Sequence, residues 1–393
     1  MISVREINDA AELATVRAEW DQLLERTRAA SFFHSWAWFT TYWKHFSAGK
    51  RMRVLVAYDQ DRAVGIVPLV VRTARRSEPI RILTYPLDDW GTAYSPIGAD
   101  PQTTLTAALA HIRRTPRDWR ILELPWVDAL VDDGRTQLAL DATGFQSIRE
   151  TQNPRAVIDL AAHGTWDAYL ATRTSKCREN LRRKEKRLAQ RGTVTYVGHR
   201  PDATEGLPAE PRWDLYDACE SISRASWQGS ASGGSMLNKE EFRAFYRDCH
   251  LAAAQSGAVD LGLILVDDRP VAFQYAYHFR GSVCGIKSAY DPAFAFEGVG
   301  TVIKARLIAD SFARGDHTYD MGPEALEWKR DWLTRVWSVY RYVHFPPRSL
   351  VAQLIRGKRT IERRLKNTIR TWRPVRHSPH AKTRASLTIE SGD

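Results

Sequence analysis

The chain has 393 residues, of which 44% are hydrophobic and 26% charged, and its formal net charge at pH 7 is +11. This length exceeds one ordinary domain of about 150 residues, and the composition excludes a wholly disordered chain. The positive charge suggests a nucleic acid or an anionic membrane as a partner, unless it is confined to particular segments.

Two segments carry the excess positive charge. Residues 173–191 contain nine Lys or Arg and two Glu, a net +7, and residues 347–393 contain twelve Lys or Arg and three acidic residues, a net +9. Subtracting both from the +11 of the whole chain leaves −5 for the remaining residues. A mildly acidic body without a recognition-helix motif argues against sequence-specific DNA binding.

The cysteines and the apolar runs indicate a cytoplasmic protein. Cys177, Cys219, Cys249 and Cys284 are too widely spaced for a zinc site or a disulfide framework. The N-terminus has no apolar signal segment, and the longest apolar runs fall far short of the ~20 residues that a membrane helix needs. We expect no bound metal, and at most a peripheral place at the inner face of a membrane.

Hydrophobic periodicity predicts a pattern of elements that occurs twice. In chain order, the first copy has helices at 11–28 and 36–46, a hairpin of strands at 53–58 and 63–71, a strand at 81–85, a helix near 105–112 and a strand at 119–124. The second has helices at 213–227 and 240–254, a hairpin at 258–266 and 270–279, a strand at 283–290, a helix at 302–312 and a strand at 317–321. We therefore predict an α/β fold with two related domains, each a mixed sheet flanked by helices, over 1–150 and 151–346, followed by a basic tail over 347–393.

The strand at 283–290 leads into a helix through the glycine-containing turn Glu297-Gly298-Val299-Gly300. Glycines at such a junction let backbone N–H groups approach a phosphate, and the helix dipole favours the anion there. A tight turn without a ligand would have the same sequence. The corresponding helix of the first copy begins near Gln102 with no glycine directly before it. The sequence therefore predicts a phosphate site in the second domain alone.

Short motifs spread over residues 12–345 resemble a known family. They are Phe33-His34-Ser35-Trp36, Val64-Gly65-Ile66-Val67-Pro68-Leu69, Arg178-Glu179-Asn180-Leu181-Arg182-Arg183, Ser226-Trp227, Pro270-Val271-Ala272, Ala289-Tyr290-Asp291, Gly298-Val299-Gly300, Tyr319-Asp320-Met321-Gly322 and Trp328-Lys329. This ordered set resembles the CelD-type, cellulose-biosynthesis-associated acetyltransferases. That family belongs to the GNAT acyltransferases, and its tandem architecture is similar to that of the FemABX transferases.

The resemblance implies two tandem GNAT-like (acyl-CoA N-acyltransferase) domains, the second of which binds acyl-CoA, most simply acetyl-CoA, without a metal. The implied cofactor-binding residues are Lys287, Ser288, Ala289 and Tyr290 for the pantetheine arm, and Phe296, Glu297, Gly298, Val299, Gly300 and Thr301 for the pyrophosphate. Two departures leave room for an aminoacyl-tRNA or another donor. Ala295 stands where GNAT turns often have Arg or Gln, and Glu297 adds a negative charge beside the expected pyrophosphate.

Acyl transfer to an amine or hydroxyl needs a base for the acceptor proton and a donor for the oxyanion. Asp320 and Asp291 are the candidate bases, and Asp320 is favoured because ligands gather at strand ends in open α/β sheets. An Asx turn at Asp291 or a cap at Asp320 would explain these residues equally well. Candidate substrate-binding residues are Arg178, Asn180, Arg182, Trp227 and Lys329. Each also has an explanation without a substrate. Arg178, Asn180 and Arg182 could belong to a solvated helix, Trp227 could be a core tryptophan, and Lys329 could be a surface lysine.

The tail and the overall function leave alternatives open. Leu350, Leu354 and Ile361 would line one stripe of a basic amphipathic helix, which suits an anionic membrane surface, RNA or a disordered segment. The predicted function is acyl transfer to a small-molecule, glycan or lipid acceptor in polysaccharide or cell-envelope biosynthesis. The alternatives are a FemABX-like aminoacyltransferase that uses aminoacyl-tRNA, and a non-enzymatic binding protein with a degenerate donor site. Apart from tRNA in the first alternative, no nucleic acid is expected.

Overall fold

The computed structural model describes residues 2–74, 80–88, 90–201, 210–226, 237, 239–323 and 327–372, with 366–372 described by their backbone alone. The predicted substrate residue Trp227 and the glycine- and serine-rich segment 229–235 lie outside this range. The last residues of the tail, 373–393, also lie outside it. Everything below refers to the described residues.

The first sheet is mixed and is built mainly from the first half of the chain. Its strands are β1 (Ile2–Ile7), β2 (Arg51–Asp59), β3 (Arg62–Thr73), β4 (Arg81–Thr84), β5 (Ile121–Asp128), β6 (Ser147–Thr151) and β14 (Val339–His344). Its helices are α1 (Ala10–Ala14), α2 (Arg17–Glu25), α3 (Trp36–Phe46), α4 (Pro101–Arg114), α5 (Ala129–Asp132) and α6 (Arg135–Ala142). The strand order is β1-β2-β3-β4-β5-β14-β6. Only β4 and β5 are parallel among the described neighbours, and α4 makes the crossover that such a pair requires.

The second sheet repeats this plan. Its strands are β7 (Arg155–Asp159), β8 (Val194–His199), β9 (Val259–Val266), β10 (Arg269–Phe279), β11 (Ser282–Tyr290), β12 (Thr318–Pro323) and β13 (Arg335–Trp337). Its helices are α7 (Trp166–Ala171), α8 (Ser175–Ala189), α9 (Trp213–Ala225), α10 (Glu240–Gln255) and α11 (Val299–Ala313). The order β8-β9-β10-β11-β12-β7-β13 matches the first sheet strand for strand, with β11 and β12 as the parallel pair. The predicted α/β repeat is confirmed.

The chain crosses between the two sheets twice, and the strands between the two crossings, β7 to β13, form the whole of the second sheet. After β6 it enters the second sheet as β7, and after β13 it returns to the first sheet as β14, between β5 and β6. The tail then forms α12 (Leu350–Trp372), which packs on the first sheet. The predicted range 151–346 therefore does not map onto one sheet, because β14 belongs to the other.

Buried aromatic side chains join the two halves into one core. The Phe32 ring lies 4.5 Å from the Tyr277 ring, and the Trp38 ring lies 5.9 Å from the Phe245 ring. These residues come from opposite halves of the chain and belong to one continuous cluster of buried side chains. Because the halves share this core, and β14 completes the first sheet only after the chain has left the second, we expect them to unfold together.

A buried arginine joins the sheets at the point where the chain crosses from one to the other. Arg155 in β7 donates from Nη1 to Asp128 Oδ2 and from Nε to Asp320 Oδ2, both at 2.7 Å. The guanidinium also lies 5.4 Å from the Trp337 ring. Burial alone would lower the pKa of Arg155, but the carboxylates of Asp320 and Asp128 raise it, so the guanidinium stays charged. The group thus connects β5 of the first sheet to β12 of the second.

Replacing Arg155 with Met is expected to lower the free energy of unfolding by about 3–5 kcal/mol, because two buried carboxylates lose their cation. Urea unfolding followed by tryptophan fluorescence measures this change. The matched control is Arg17→Met, which removes an exposed ion pair with Asp21 and should cost at most about 0.5 kcal/mol. Equal losses for the two variants would contradict a structural role for the buried arginine.

Candidate functional site

The parallel strands β11 and β12 separate from each other partway along the second sheet. Their register pairs only Ser282 with Thr318, Val283 with Tyr319 and Cys284 with Asp320. β11 nevertheless continues to Tyr290 and stays paired with β10 along its other edge. Among the described strands, β11 and β12 therefore have no registered pair beyond Cys284 and Asp320. We call this opening the fork. An extended ligand that contains amide groups can lie along a strand edge of this kind.

Asp320 lies at the base of the fork and is held on both carboxylate oxygens. Oδ1 accepts a hydrogen bond from the Gly322 backbone N–H at 2.9 Å, while Oδ2 accepts from Arg155 and lies 3.7 Å from Cys284 Sγ. Gly322 has φ +83°, in the left-handed region that favours glycine, and β12 bends there. The carboxylate therefore fixes the bend that opens the fork, and its role as a catalytic base stays a prediction.

A cavity of about 160 Å³ lies between the two sheets, beside the paired part of β11 and β12 at the base of the fork. Its lining includes His34, Tyr94, Cys284 and Asp320. Burial, and secondarily the Asp320 carboxylate, raises the pKa of the Cys284 thiol to about 12. Burial lowers the pKa of His34 to about 4. At neutral pH the cavity therefore holds a protonated thiol and a neutral imidazole, which excludes a thiolate nucleophile.

Two buried lysines lie near the other side of the fork. Lys329 Nζ donates to the carbonyl oxygens of Gly322 at 3.0 Å and Pro323 at 2.7 Å, and the residue is 3% exposed. Lys304, on α11, donates to Gln274 Oε1 at 3.0 Å and is 6% exposed. Both ammonium groups lie over the Trp328 ring, at 5.3 and 4.7 Å. Lys329 is thus buried rather than a surface lysine, and Lys304 is a residue that the sequence analysis missed.

Burial changes the protonation of the lysines around the fork. It lowers the pKa of Lys304 to about 7, with a smaller contribution from the charge of Lys329. It also lowers the pKa of Lys287, in β11, to about 8. A lysine whose pKa lies near 7 is partly uncharged at neutral pH and can accept a proton. Lys304 therefore has the chemistry of a general base, which most lysines lack.

The predicted phosphate turn lies at the N-terminus of α11, where the basic helix α8 packs against it. Gly298 caps the helix with φ +71°, and Lys184 lies so close that a Cβ at Gly298 would be 2.6 Å from its side chain. Lys184 Nζ donates to Thr301 Oγ1 at 2.7 Å, and Arg191 pairs with Glu297 at 2.8 Å. Cations are disfavoured at a helix N-terminus unless an anion accompanies them. This arrangement therefore suits an anionic group of a ligand.

The remaining predicted residues of the turn differ in exposure and contacts, and their part in binding a donor stays a prediction. Phe296 is 76% exposed, with the guanidinium of Arg187 4.7 Å from its ring. Val299 is fully buried in the core of the second sheet. Gly300 leaves room for the Tyr290 ring, which a Cβ would approach to 3.1 Å. In the first domain, by contrast, the Asp100 side chain caps α4 and accepts from the Thr103 N–H, so a carboxylate already occupies that helix end.

The structure separates the predicted acceptor residues of α8. Asn180 accepts from Arg183 and lines an open hollow that also contains Lys176 and Trp328. Arg178 donates to the carbonyl oxygens of Ala171 and Arg173, so it joins α7 to α8 instead of facing that hollow. Arg182 is exposed to solvent.

Asp291 follows β11 and is engaged in local contacts. It accepts from the Ala293 N–H at 2.9 Å, which caps the short helix Pro292–Phe294, and it pairs with Arg269. This is the Asx-type turn that the sequence analysis gave as the alternative to catalysis. The four cysteines are free thiols. In the described part of the chain, no three His, Cys, Asp or Glu residues are placed to hold a metal.

Comparison with known proteins supports the fold that these elements form. Residues 175–330, which include α8, most of the fork and Lys329, match the family model described as "Acetyltransferase (GNAT) domain". A search of the curated proteins finds no match.

Three solved structures share the architecture across both halves. FemX is 11% identical, with 87% of this chain and 97% of that chain covered and a TM-score of 0.57. L-PGS from Bacillus licheniformis is 14% identical, with 87% and 96% covered and a TM-score of 0.53. A tandem GNAT protein from the clavulanic acid biosynthesis pathway is 11% identical, with 88% and 100% covered and a TM-score of 0.50. At these identities the likeness shows the tandem GNAT fold alone, and the CelD-type resemblance remains an inference from motifs.

The buried Lys304 should make stability depend on pH. Its pKa falls from the ordinary 10.5 to about 7 in the folded chain, so between these values the folded state binds fewer protons than the unfolded state. Stability therefore rises with pH in this window. From pH 7 to 9 the group should contribute a gain of about 2 kcal/mol, which Lys304→Met should remove.

Urea unfolding at both pH values checks this expectation. The control is Lys44→Met, at a lysine whose side chain is 68% exposed, and it should leave the wild-type gain unchanged. The same gain in Lys304→Met as in the wild type would show that Lys304 is not the group responsible.

Proposed function

We propose that the chain is an acyltransferase that moves an acetyl or longer acyl group from acyl-CoA to an amine or hydroxyl. The fork is the observation that carries this proposal. A strand edge that no other described strand covers, in the middle of a sheet, can lie against the amide-containing pantetheine arm of the donor. The arm would lie along Lys287, Ser288, Ala289 and Tyr290, and the pyrophosphate would lie at the Phe296–Thr301 turn beside Lys184.

The groups around the fork supply the chemistry of acyl transfer. The nitrogen or oxygen of the acceptor attacks the thioester carbonyl, the C–S bond breaks, and CoA leaves as its thiol once protonated. We propose that the neutral amine of Lys304 accepts the acceptor's proton, because Asp320 already uses both of its oxygens. Lys329 would steady the oxyanion, since it is a buried cation at the end of β12.

The acceptor that we propose is a small molecule, glycan or lipid of polysaccharide or cell-envelope biosynthesis. Asn180 and Trp328 line a hollow that would receive it. The proposed place of reaction is the cytoplasm or the inner face of a membrane. The first domain, whose helix end is closed by Asp100, would hold no donor and would instead form one wall of the site.

A second candidate is a FemABX-like aminoacyltransferase that takes its donor from aminoacyl-tRNA. The turn favours it in one respect, because Glu297 adds a negative charge beside the proposed position of the pyrophosphate. The fork would then hold the aminoacyl end of the tRNA, and the exposed basic residues of α8 would contact its phosphates.

Isothermal titration with CoA and acetyl-CoA tests the donor. Wild-type protein should bind both, and Lys184→Met should weaken binding by roughly tenfold or more, because a charge-assisted hydrogen bond to phosphate is lost. Lys186→Met, at an exposed lysine of the same helix, should bind like the wild type. Folded protein that binds neither ligand, but binds aminoacyl-tRNA with strong salt dependence, would replace the first candidate by the second.

Release of free thiol from acetyl-CoA in the presence of an acceptor tests the base. Lys304→Met should retain CoA affinity and lose roughly a hundredfold in kcat, because proton transfer is impaired. In the wild type, kcat should rise with pH through about 7, where Lys304 loses its proton. An unchanged pH profile in Lys304→Met would assign the proton transfer to another group.

A further inference from the structure

The tail helix α12 is fixed to the first sheet by one of its faces. Ala352 is fully buried in a small core with Ile82, Ile121 and Phe345. Two ion pairs hold the same side of the helix, Arg359 to Glu123 in β5 and Arg363 to Glu150 in β6. α12 is therefore a packed element with a defined orientation, which excludes free tumbling of residues 350–363.

The opposite face of α12 exposes large apolar side chains to solvent. The exposed fractions are 82% for Leu350, 74% for Leu354, 60% for Ile361 and 57% for Leu365. Their spacing places all four on one side of the helix, in a row about 22 Å long. We call this row the apolar stripe. Large apolar side chains exposed in one row mark a surface that another phase or molecule covers.

Charge around the apolar stripe indicates what covers it. Helical geometry places Lys358 and Arg364 along its two borders, and residues 347–393 carry twelve Lys or Arg against three acidic residues. Two copies of the chain would bring these like charges together, which opposes a dimer through this face. RNA would match the charge but would leave the leucines uncovered. An apolar face bordered by cations matches the surface of an anionic lipid bilayer on both counts.

We propose that α12 docks the protein on an anionic membrane surface, with the apolar stripe in the headgroup region and the basic residues against lipid phosphates. Attachment through the buried face and its ion pairs would transmit this orientation to the first sheet, and through the shared core to the second. In the described residues, no helix is long and apolar enough to cross a bilayer. The docking does not depend on the acyl-transfer proposal, because the buried contacts and ion pairs that hold α12 are made with the first sheet and not with the fork.

Sedimentation of the full-length protein with vesicles tests this docking. The probes are vesicles of phosphatidylcholine with phosphatidylglycerol and vesicles of phosphatidylcholine alone. The wild type should sediment with the anionic vesicles, and high salt should reduce binding. The double variant Leu354→Glu/Ile361→Glu should bind roughly a hundredfold more weakly, because two large apolar side chains no longer enter the bilayer.

The control is Leu138→Glu, which changes a 53% exposed leucine on α6 and should bind vesicles like the wild type. All three proteins should show the same urea unfolding, since each substituted side chain is exposed. Equal loss in Leu138→Glu, equal binding to neutral vesicles, or no binding to either vesicle would overturn the proposal. Two further results would overturn it if the wild type does not bind vesicles. One is a wild-type dimer that the Leu354→Glu/Ile361→Glu variant no longer forms, and the other is RNA binding that this variant weakens.

Discussion

The buried guanidinium of Arg155 is the interaction on which the arrangement of the two sheets depends. It lies in β7, contacts Asp128 in the first sheet and contacts Asp320 in the second. The chain also crosses between the sheets at this place, since Trp337 of β13 lies 5.4 Å from the guanidinium and β14 begins two residues later beside Asp128. Because β14 follows the whole of the second sheet in the chain, residues 2–151 alone lack an interior strand of the first sheet. The ion network fixes the geometry at this crossing.

The fork follows from this constraint. Asp320 uses one oxygen for Arg155 and the other for the Gly322 N–H, so the interaction that joins the sheets also sets the bend of β12. Lys329 holds the carbonyl of the same glycine. A strand that bends away no longer covers its neighbour β11, and α11 brings Lys304 to that region. The proposed base, the proposed donor groove and the interface between the sheets therefore lie together around β11 and β12.

The spacing of hydrophobic residues was sufficient to predict the repeated α/β plan, because amphipathic helices and strand hairpins each have a characteristic hydrophobic period. The pattern was insufficient for β14, because Val339–His344 is short and its place in the sheet depends on Asp128, more than 200 residues earlier in the chain.

The site was predicted less completely than the fold. Asp320 was expected in a strand and lies in β12, but its partner Arg155 is 165 residues away and no spacing rule connects them. The sequence contains a weak indication of a buried lysine, because Lys304 lies in a mainly apolar segment, 299–308, but the prediction did not use it. Arg178, expected to face a substrate, is instead held by two local carbonyl oxygens.

Hydrogen–deuterium exchange with and without acetyl-CoA tests the central claim most directly. If the donor arm pairs with the open edge of β11, the backbone amides of residues 286–290 and of the turn at 298–301 should become protected when the ligand is present. The amides of the matching helix end in the first domain, at residues 100–104, should not change. Protection confined to other segments, or identical exchange with and without ligand in protein that binds it, would contradict the fork as the donor site.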